Sequence, residues 1–289
     1  MAPCPGVGAP VASGSVTARY HFALRPRWLL SHLVVALAVA LMVALGVWQL
    51  RRLDDRRDLN ASIRSRQAVA VEDVAGIVSP EAGPDQADAV VYRRATASGT
   101  YNHDSEILVR NRTLDGRPGA WVLTPLVASD GTAVVVNRGW IPTQGVPDGV
   151  PFEARAPTGR VEVHGLLLAS QERGSFGPTD PAEGVLDTLA RADLGRLEQQ
   201  VPFDLYPVYL QLESADPAPA PIPELLPGPE LSEGPHLGYA AQWFIFSLIA
   251  AVGYPLILRR TAQSGGGAGG SSRPPDGDGE AVEPVAVAS

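Results

Sequence analysis

Residues 28–50 read WLLSHLVVALAVALMVALGVWQL, 23 residues without a charge, of which twelve are Leu or Val. A helix of that length, at about 1.5 Å per residue, crosses roughly 30 Å of hydrocarbon. Each central apolar residue favours insertion by about 0.3–0.6 kcal/mol, and together they outweigh His32 near the start of the span. Ala38-Val39-Ala40 has the small-x-small form of a signal-peptide cleavage site. Mostly apolar, uncharged residues continue past it to Leu50, so the span reads as an uncleaved anchor. Residues 237–258, LGYAAQWFIFSLIAAVGYPLIL, are a second uncharged stretch, 22 residues long. Arg259 and Arg260 follow it directly, whereas residues 217–236 contain no Arg, so the positive-inside bias puts the C-terminus in the cytoplasm. Two spans then leave the N-terminus there too and export everything between. Arg51, Arg52, Arg56 and Arg57 oppose this only weakly, because long loops translocate largely regardless of charge.

The expected fold class is therefore an α+β membrane protein: two transmembrane helices flanking a mostly antiparallel β extracytoplasmic domain with one or two short helices. Residues 1–27 and 259–289 are expected as disordered cytoplasmic tails around the spans 28–50 and 237–258, on their Pro, Gly, Ala and Ser content. Residues 51–216 form the exported domain. Residues 217–236, with Pro at 217, 219, 221, 223, 227, 229 and 235, read as an extended, solvated polyproline spacer. Within the domain, β-rich runs recur at 68–74, 90–101, 106–111, 120–127, 133–141, 161–168 and 207–212. Asp115-Gly116 and Asp130-Gly131 are hairpin signals between neighbouring runs. Val185, Leu186, Leu189, Leu194 and Leu197 recur at mostly helical spacing. Whether the sheet closes into a barrel is left open at this level.

Composition removes several function classes. The net charge is −8, and residues 51–236 hold 17 Arg against 27 Asp or Glu, so a nucleic-acid partner is disfavoured. Cys4 is the single cysteine, which excludes an intramolecular disulfide. The five histidines, His21, His32, His103, His164 and His236, include no pair at i, i+3 or i, i+4, so a zinc or copper site is poorly supported. His103, Asp104 and Ser105 are adjacent in sequence, but a triad converges through space, and there is no P-loop or dinucleotide fingerprint. No catalytic residue is expected, and the protein reads as a non-enzyme.

The informative constellation lies where the spans meet the outer surface. Trp48, Gln49, Arg51 and Arg52 end the first span; His236, Tyr239, Gln242 and Trp243 begin the second. At 100° per residue, His236, Tyr239, Trp243, Phe246, Ser247, Ala250 and Tyr254 share a face about 100° wide. An imidazole above an aromatic stripe, with arginines from the other helix, suits a macrocycle carrying a metal and carboxylates. Trp and Tyr at span ends are also ordinary interfacial belts, and both readings stand. A second axial ligand from His32 is excluded in an antiparallel hairpin, because it lies about 27 Å from the outer end. His32 reads instead as an interface or interhelix hydrogen-bond partner. Ala36, Ala40 and Ala44, near Gly46, permit close helix approach, to the second span or to a partner.

Several short motifs occur together. The first span ends Gly46-Val47-Trp48-Gln49-Leu50-Arg51-Arg52-Leu53. Gly99-Thr100-Tyr101, Glu106–Arg112 (EILVRNR), Gly116–Leu126 (GRPGAWVLTPL) and Val136–Pro142 (VNRGWIP) follow, and the second span opens His236–Phe244 (HLGYAAQWF). In this order, over about residues 28–260, the chain resembles the surfeit locus protein family of cytochrome c oxidase assembly factors. Its all-Arg basic set and Ala, Gly and Pro richness point to an actinobacterial source. The resemblance implies a multi-pass factor of the bacterial inner membrane, with both termini cytoplasmic and the central domain outside. It implies help in maturing the catalytic subunit of a haem-copper oxidase, around insertion of haem a. His236 matches the suspected haem iron ligand, with Trp243 and Tyr239 as further haem contacts. Trp48, Gln49, Arg52, Arg138 and Trp140 are the expected partner-binding set; for Arg138 and Trp140, packing inside the β domain is the competing reading. Asp54-Asp55 departs from the family's more aromatic or basic residues at that turn. No cofactor is obligatory, and haem a is the transient candidate. The expected partners are the oxidase catalytic subunit, a respiratory supercomplex in which the chain would be a lasting accessory subunit, and the lipid bilayer. The competing reading is a membrane-tethered extracytoplasmic binding or sensor module unrelated to respiration.

Overall fold

A computed structural model describes residues 20–143, 149–174 and 177–264. Most of both expected tails falls outside the described residues. Where the tails are described they are helical: His21–Leu24 make a 3₁₀ turn, and the second long helix runs on through Ser264. Two units are distinguished, one of residues 1–55 with 233–289 and one of residues 56–232.

The first long helix, α1, spans Pro26–Gln67. Pro at a first helical position forfeits an N–H that has no intrahelical partner anyway. Leu, Ala and Val then propagate the helix without interruption. Beyond Leu50 it continues through a charged stretch, where Arg52 and Asp55 stand at i, i+3, 4.0 Å apart. The second long helix covers His236–Ser264, and both are long and apolar enough to cross a membrane.

In the second unit Glu72–Asp73 form β1, Val74–Ile77 α2 and Pro84–Val90 α3. There follow β2 (Arg94–Tyr101), β3 (Ile107–Leu114), β4 (Arg117–Val127), β5 (Ala133–Pro142) and β6 (Arg160–Ala169). After them come β7 (Thr188–Leu189), α4 (Leu194–Glu198) and β8 (Leu205–Asp216), so the long C-terminal helix is α5. The two Asp-Gly signals sit where hairpins require them. Asp115 and Gly116, at φ 49° and 74°, join β3 to β4, as a two-residue turn with two left-handed positions demands. Gly131, at φ 89°, follows Asp130 between β4 and β5. The end of α1 is fastened to α3 by Arg66, whose Nη1 donates to the carbonyls of Asp88 and Val91 at 2.9 and 3.0 Å. Those carbonyls lie at the C-terminal end of α3 and lack intrahelical donors.

The strand order is β1-β2-β6-β8-β5-β4-β3-β7, with an additional pairing of β2 with β4. That pairing, Thr100 to Val127 and Tyr101 to Leu126, closes β2, β6, β8, β5 and β4 into a five-stranded ring. The domain is mostly antiparallel, as expected, but the sheet is mixed: β1 with β2, β3 with β7 and β5 with β8 are parallel. The parallel β5–β8 pair requires a crossover, and the long connection carrying β6, β7 and α4 supplies it. β7 falls inside the stretch whose apolar spacing suggested helix, because two residues of strand leave no period to read.

The ring interior is filled by alternate residues. Ala95, Ala97 and Tyr101 of β2, Val163 and Leu167 of β6, Val208, Leu210 and Leu212 of β8 and Val136 of β5 form one buried cluster, joined by Val74 of α2 and Val90 of α3. A second cluster outside the ring packs Ile107, Val109, Val135 and Tyr209 under Leu189, Leu194 and Leu197. β5 is thus covered on both faces, and every residue from Ala133 to Ile141 is buried. A continuous apolar run such as AVVV is the sequence form of a strand with no solvated face.

That burial corrects the expected roles of Arg138 and Trp140. Arg138 is 5% exposed; its Nη1 donates to Glu106 Oε1 at 2.7 Å and to the Ala154 carbonyl at 2.8 Å. The Thr124 hydroxyl donates to the same carboxylate at 2.9 Å, and the guanidinium lies 5.5 Å from the Tyr101 ring. Burial lowers the pKa of Arg138, while Glu106 and Tyr101 pull it back up. Trp140 is 1% exposed, donates from Nε1 to the Arg112 carbonyl at 3.1 Å and carries the Arg117 guanidinium over its ring at 4.6 Å. Both side chains hold the domain together and offer no surface to a partner.

The proline-rich segment is not a solvated tether. Glu224 and Trp140 exchange two backbone hydrogen bonds of 2.8 Å, and Arg117 donates to both Glu224 carboxylate oxygens at 3.1 and 2.9 Å. Gln211 Nε2 donates to the Pro227 carbonyl at 3.0 Å, and Asn60 Nδ2 donates to that of Leu231 at 2.9 Å. An extended proline-rich chain makes no internal hydrogen bonds, so its carbonyls are open to such donors, and the segment lies along the domain.

Two measurements test this core. Removing the carboxylate in Glu106→Ala leaves Arg138 charged and uncompensated, a loss of about 3–5 kcal/mol, read from denaturant unfolding of the detergent-solubilised chain by tryptophan fluorescence. Adding Arg138→Met to that variant should recover part of the loss. Burial also pushes Tyr101 and Tyr209 up to about 12, from an ordinary 10. Because the folded values are raised, the stability held by the neutral phenols is intact below pH 10 and is lost as pH climbs toward about 12. Each contributes about 2–3 kcal/mol to that alkaline loss, so Tyr101→Phe and Tyr209→Phe should each flatten the decline.

Candidate functional site

Within the first unit the two long helices pack as an antiparallel pair whose register is set by three contacts. At one end the Tyr254 hydroxyl lies 2.7 Å from His32 Nδ1 and 2.9 Å from Ser31 Oγ, while His32 Nε2 faces the Ala23 carbonyl at 3.2 Å. Midway, the Phe244 ring lies against Gly46 so closely that a Cβ there would stand 2.8 Å from ring carbons. Glycine is what permits this approach. Ala36, Ala40 and Ala44 remain exposed, so the tightest helix contact uses Gly46 and not the alanine stripe. At the other end His236, the first residue of α5, places Nδ1 2.9 Å from Gln49 Oε1. His32 and His236 therefore occupy opposite ends of the hairpin.

The residues around His236 fall into two groups. Trp243 is half-buried and meets Phe246 edge to face, with centroids 6.2 Å apart at 90°. Tyr239 is 49% exposed and Trp48 53%. The Arg52 side chain is also largely exposed, and an exposed pair such as Arg52 with Asp55 contributes only about 0–1 kcal/mol. Ala240, Ser247 and the half-buried Trp243 follow His236 along the helix face turned toward α1, while Tyr239 and Phe246 flank it.

Of the residues read from the sequence, the fold brings His236 and Gln49 together, half-buries Trp243 further along α5 and leaves Trp48, Arg52 and Tyr239 exposed. Arg138 and Trp140 belong to the interior of the other unit. Sequence reasoning named Gln49 and His236 separately and missed their bond, although two antiparallel spans place the end of one beside the start of the next. Glu106 was missed as the anion that holds Arg138; a lone acid heading the apolar run ILV was the available signal.

Among the described residues no three His, Cys, Asp or Glu side chains converge on a metal-ion site. An iron held at this end of the hairpin would take a single imidazole from the chain. The residues suit a haem in part: an imidazole, aromatic rings and an arginine are side chains of the kind that could hold an iron, a macrocycle and its carboxylates.

Comparison with known proteins agrees with this architecture. The SURF1 family matches residues 36–248. An uncharacterised SURF1-like protein of Mycobacterium bovis is 30% identical over 265 residues, covering 89% of this chain and 93% of its own length. A SURF1-like protein of Rickettsia felis is 25% identical over 241 residues, covering 81% of this chain and 99% of its own. A cytochrome oxidase assembly protein of Saccharomyces cerevisiae is 30% identical over 130 residues, 44% of this chain and 30% of that protein. With a family match that takes in parts of both long helices and all eight strands, this chain belongs to the SURF1 family.

Proposed function

We propose that this chain is a non-enzymatic maturation factor for a haem-copper cytochrome c oxidase, holding haem a through His236 on its way to the catalytic subunit. The observation that carries the reading is the placing of His236 at the end of the paired helices, one ring nitrogen bound to Gln49 and the other without a hydrogen bond among the described residues. The yeast relative's name supports oxidase assembly in general. Tyr239 and Trp48 are about half-exposed and the Arg52 side chain is exposed, so none of the three is enclosed. Open placement suits a cargo that must leave, since resident cofactors are mostly enclosed by their sites. In this reading both termini face the cytoplasm and the β domain lies outside, as Arg259 and Arg260 after the second span favour.

Protein purified in mild detergent from cells that make haem a should carry a Soret band and should bring oxidase subunits with it. His236→Ala should lose the band and keep its fold by circular dichroism. An unchanged spectrum in His236→Ala refutes the ligand. Normal a-type haem absorbance and oxidase activity after gene deletion refute the assembly role, and recovery without oxidase subunits favours a tethered module instead. Single cysteines placed in the β domain should react with membrane-impermeant maleimide on intact spheroplasts; protection would reverse the proposed topology.

A further inference from the structure

The two nitrogens of His236 have different surroundings. Nδ1 lies 2.9 Å from Gln49 Oε1, and a carboxamide oxygen only accepts, so this contact is a hydrogen bond when Nδ1 carries the proton. In the neutral ring Nε2 then holds the lone pair. Among the described residues Nε2 has no hydrogen-bond partner, and it lies beside Gly234. That residue sits at φ +70°, where a side chain is strained, and a Cβ on it would come within 3.5 Å of Nε2. The chain thus binds one nitrogen and gives the other no hydrogen bond among the described residues.

We propose that Gln49 is a positioning residue for His236: it fixes the Nδ1–H tautomer and the ring orientation, so that Nε2 is presented as the donor to haem iron. This rests on the reading of His236 as an axial ligand. Histidines that bind metals typically donate their second N–H to a carboxylate, a carbonyl or water, and that partner sets tautomer and basicity. Here the acceptor is a neutral amide. A carboxylate at this position would draw on the Nδ1 proton and make the imidazole a stronger donor; the amide orients the ring without that gain. The arrangement presents iron with a modest ligand, as a carrier that must release its cargo requires.

The inference can be read without oxidase activity. In the full-length protein labelled with ¹⁵N-histidine, at mildly alkaline pH, His236 should show the Nδ1–H tautomer, and Gln49→Leu should shift it toward Nε2–H. Ferric haem titrated into detergent-solubilised Gln49→Leu should bind about 10- to 100-fold more weakly than to the unaltered chain. Gln49→Glu should keep the Nδ1–H form, release ferric haem more slowly and lower its reduction potential. An Nε2–H tautomer in the unaltered protein overturns the proposal. So does a Gln49→Leu variant that binds ferric haem normally while His236→Ala does not. Equal weakening in Gln49→Leu and Gln49→Glu with an unchanged tautomer would reduce Gln49 to a clip between helices and also overturns it. If His236→Ala binds ferric haem as well as the unaltered chain, the ligand reading itself has failed, a result distinct from failure at Gln49.

Discussion

An uncharged stretch long enough to cross hydrocarbon has one form open to it there, the helix, because a backbone group left unpaired among lipid tails costs several kcal/mol. The two such stretches of this chain are helices, and that constraint comes first. With a folded unit connecting them, the two helices pair in opposite directions. Antiparallel pairing in turn determines which residues can meet: the end of the first span and the start of the second share one end of the hairpin. Gln49 and His236, 187 residues apart in the chain, become hydrogen-bonded neighbours as a consequence. Gly46 sets how tightly the helices approach, since any side chain there would strike Phe244.

A different constraint governs the β unit. Closing five strands into a ring removes sheet edges and encloses a narrow interior. The interior is correspondingly built from small and branched residues, with Ala95 and Ala97 where β2 faces inward and Val and Leu from β6 and β8 opposite. β5, paired with β4 on one side and β8 on the other, has no solvated face, and a charge carried on it must bring its own counterion. Glu106 provides that, with Thr124 and the Ala154 carbonyl completing the shell around Arg138. A buried ion pair of this kind is weak evidence of net stability, yet each partner obliges the other to stay.

The proline-rich segment shows how composition and structure part company. Pro content correctly implies an extended chain free of internal hydrogen bonds. It carries no information on whether water or protein takes the open carbonyls. Here Gln211, on the strand leading into the segment, and Asn60 and the Trp140 backbone, from distant parts of the chain, take them.

What could be read from the sequence follows from local rules. The uncharged lengths of 28–50 and 237–258 meant helices long enough to span a membrane, and the continuous apolar run Val134–Val136 meant a buried strand. Asp115-Gly116 meant a two-residue hairpin, because few other residues accept two left-handed positions in succession. His236, Trp243 and Tyr239 could be named from spacing on one helix. Long-range choices were settled only by the tertiary structure. The parallel β5–β8 pair and the β2–β4 closure depend on which strands of a crossover meet, which no local period encodes. For Arg138 and Trp140 the sequence left packing and partner contact both open, and burial of the strand bearing them favours packing. Whether His236 is a bare imidazole or one held by a partner was decided by helix register, a property of two segments packed together and of neither alone.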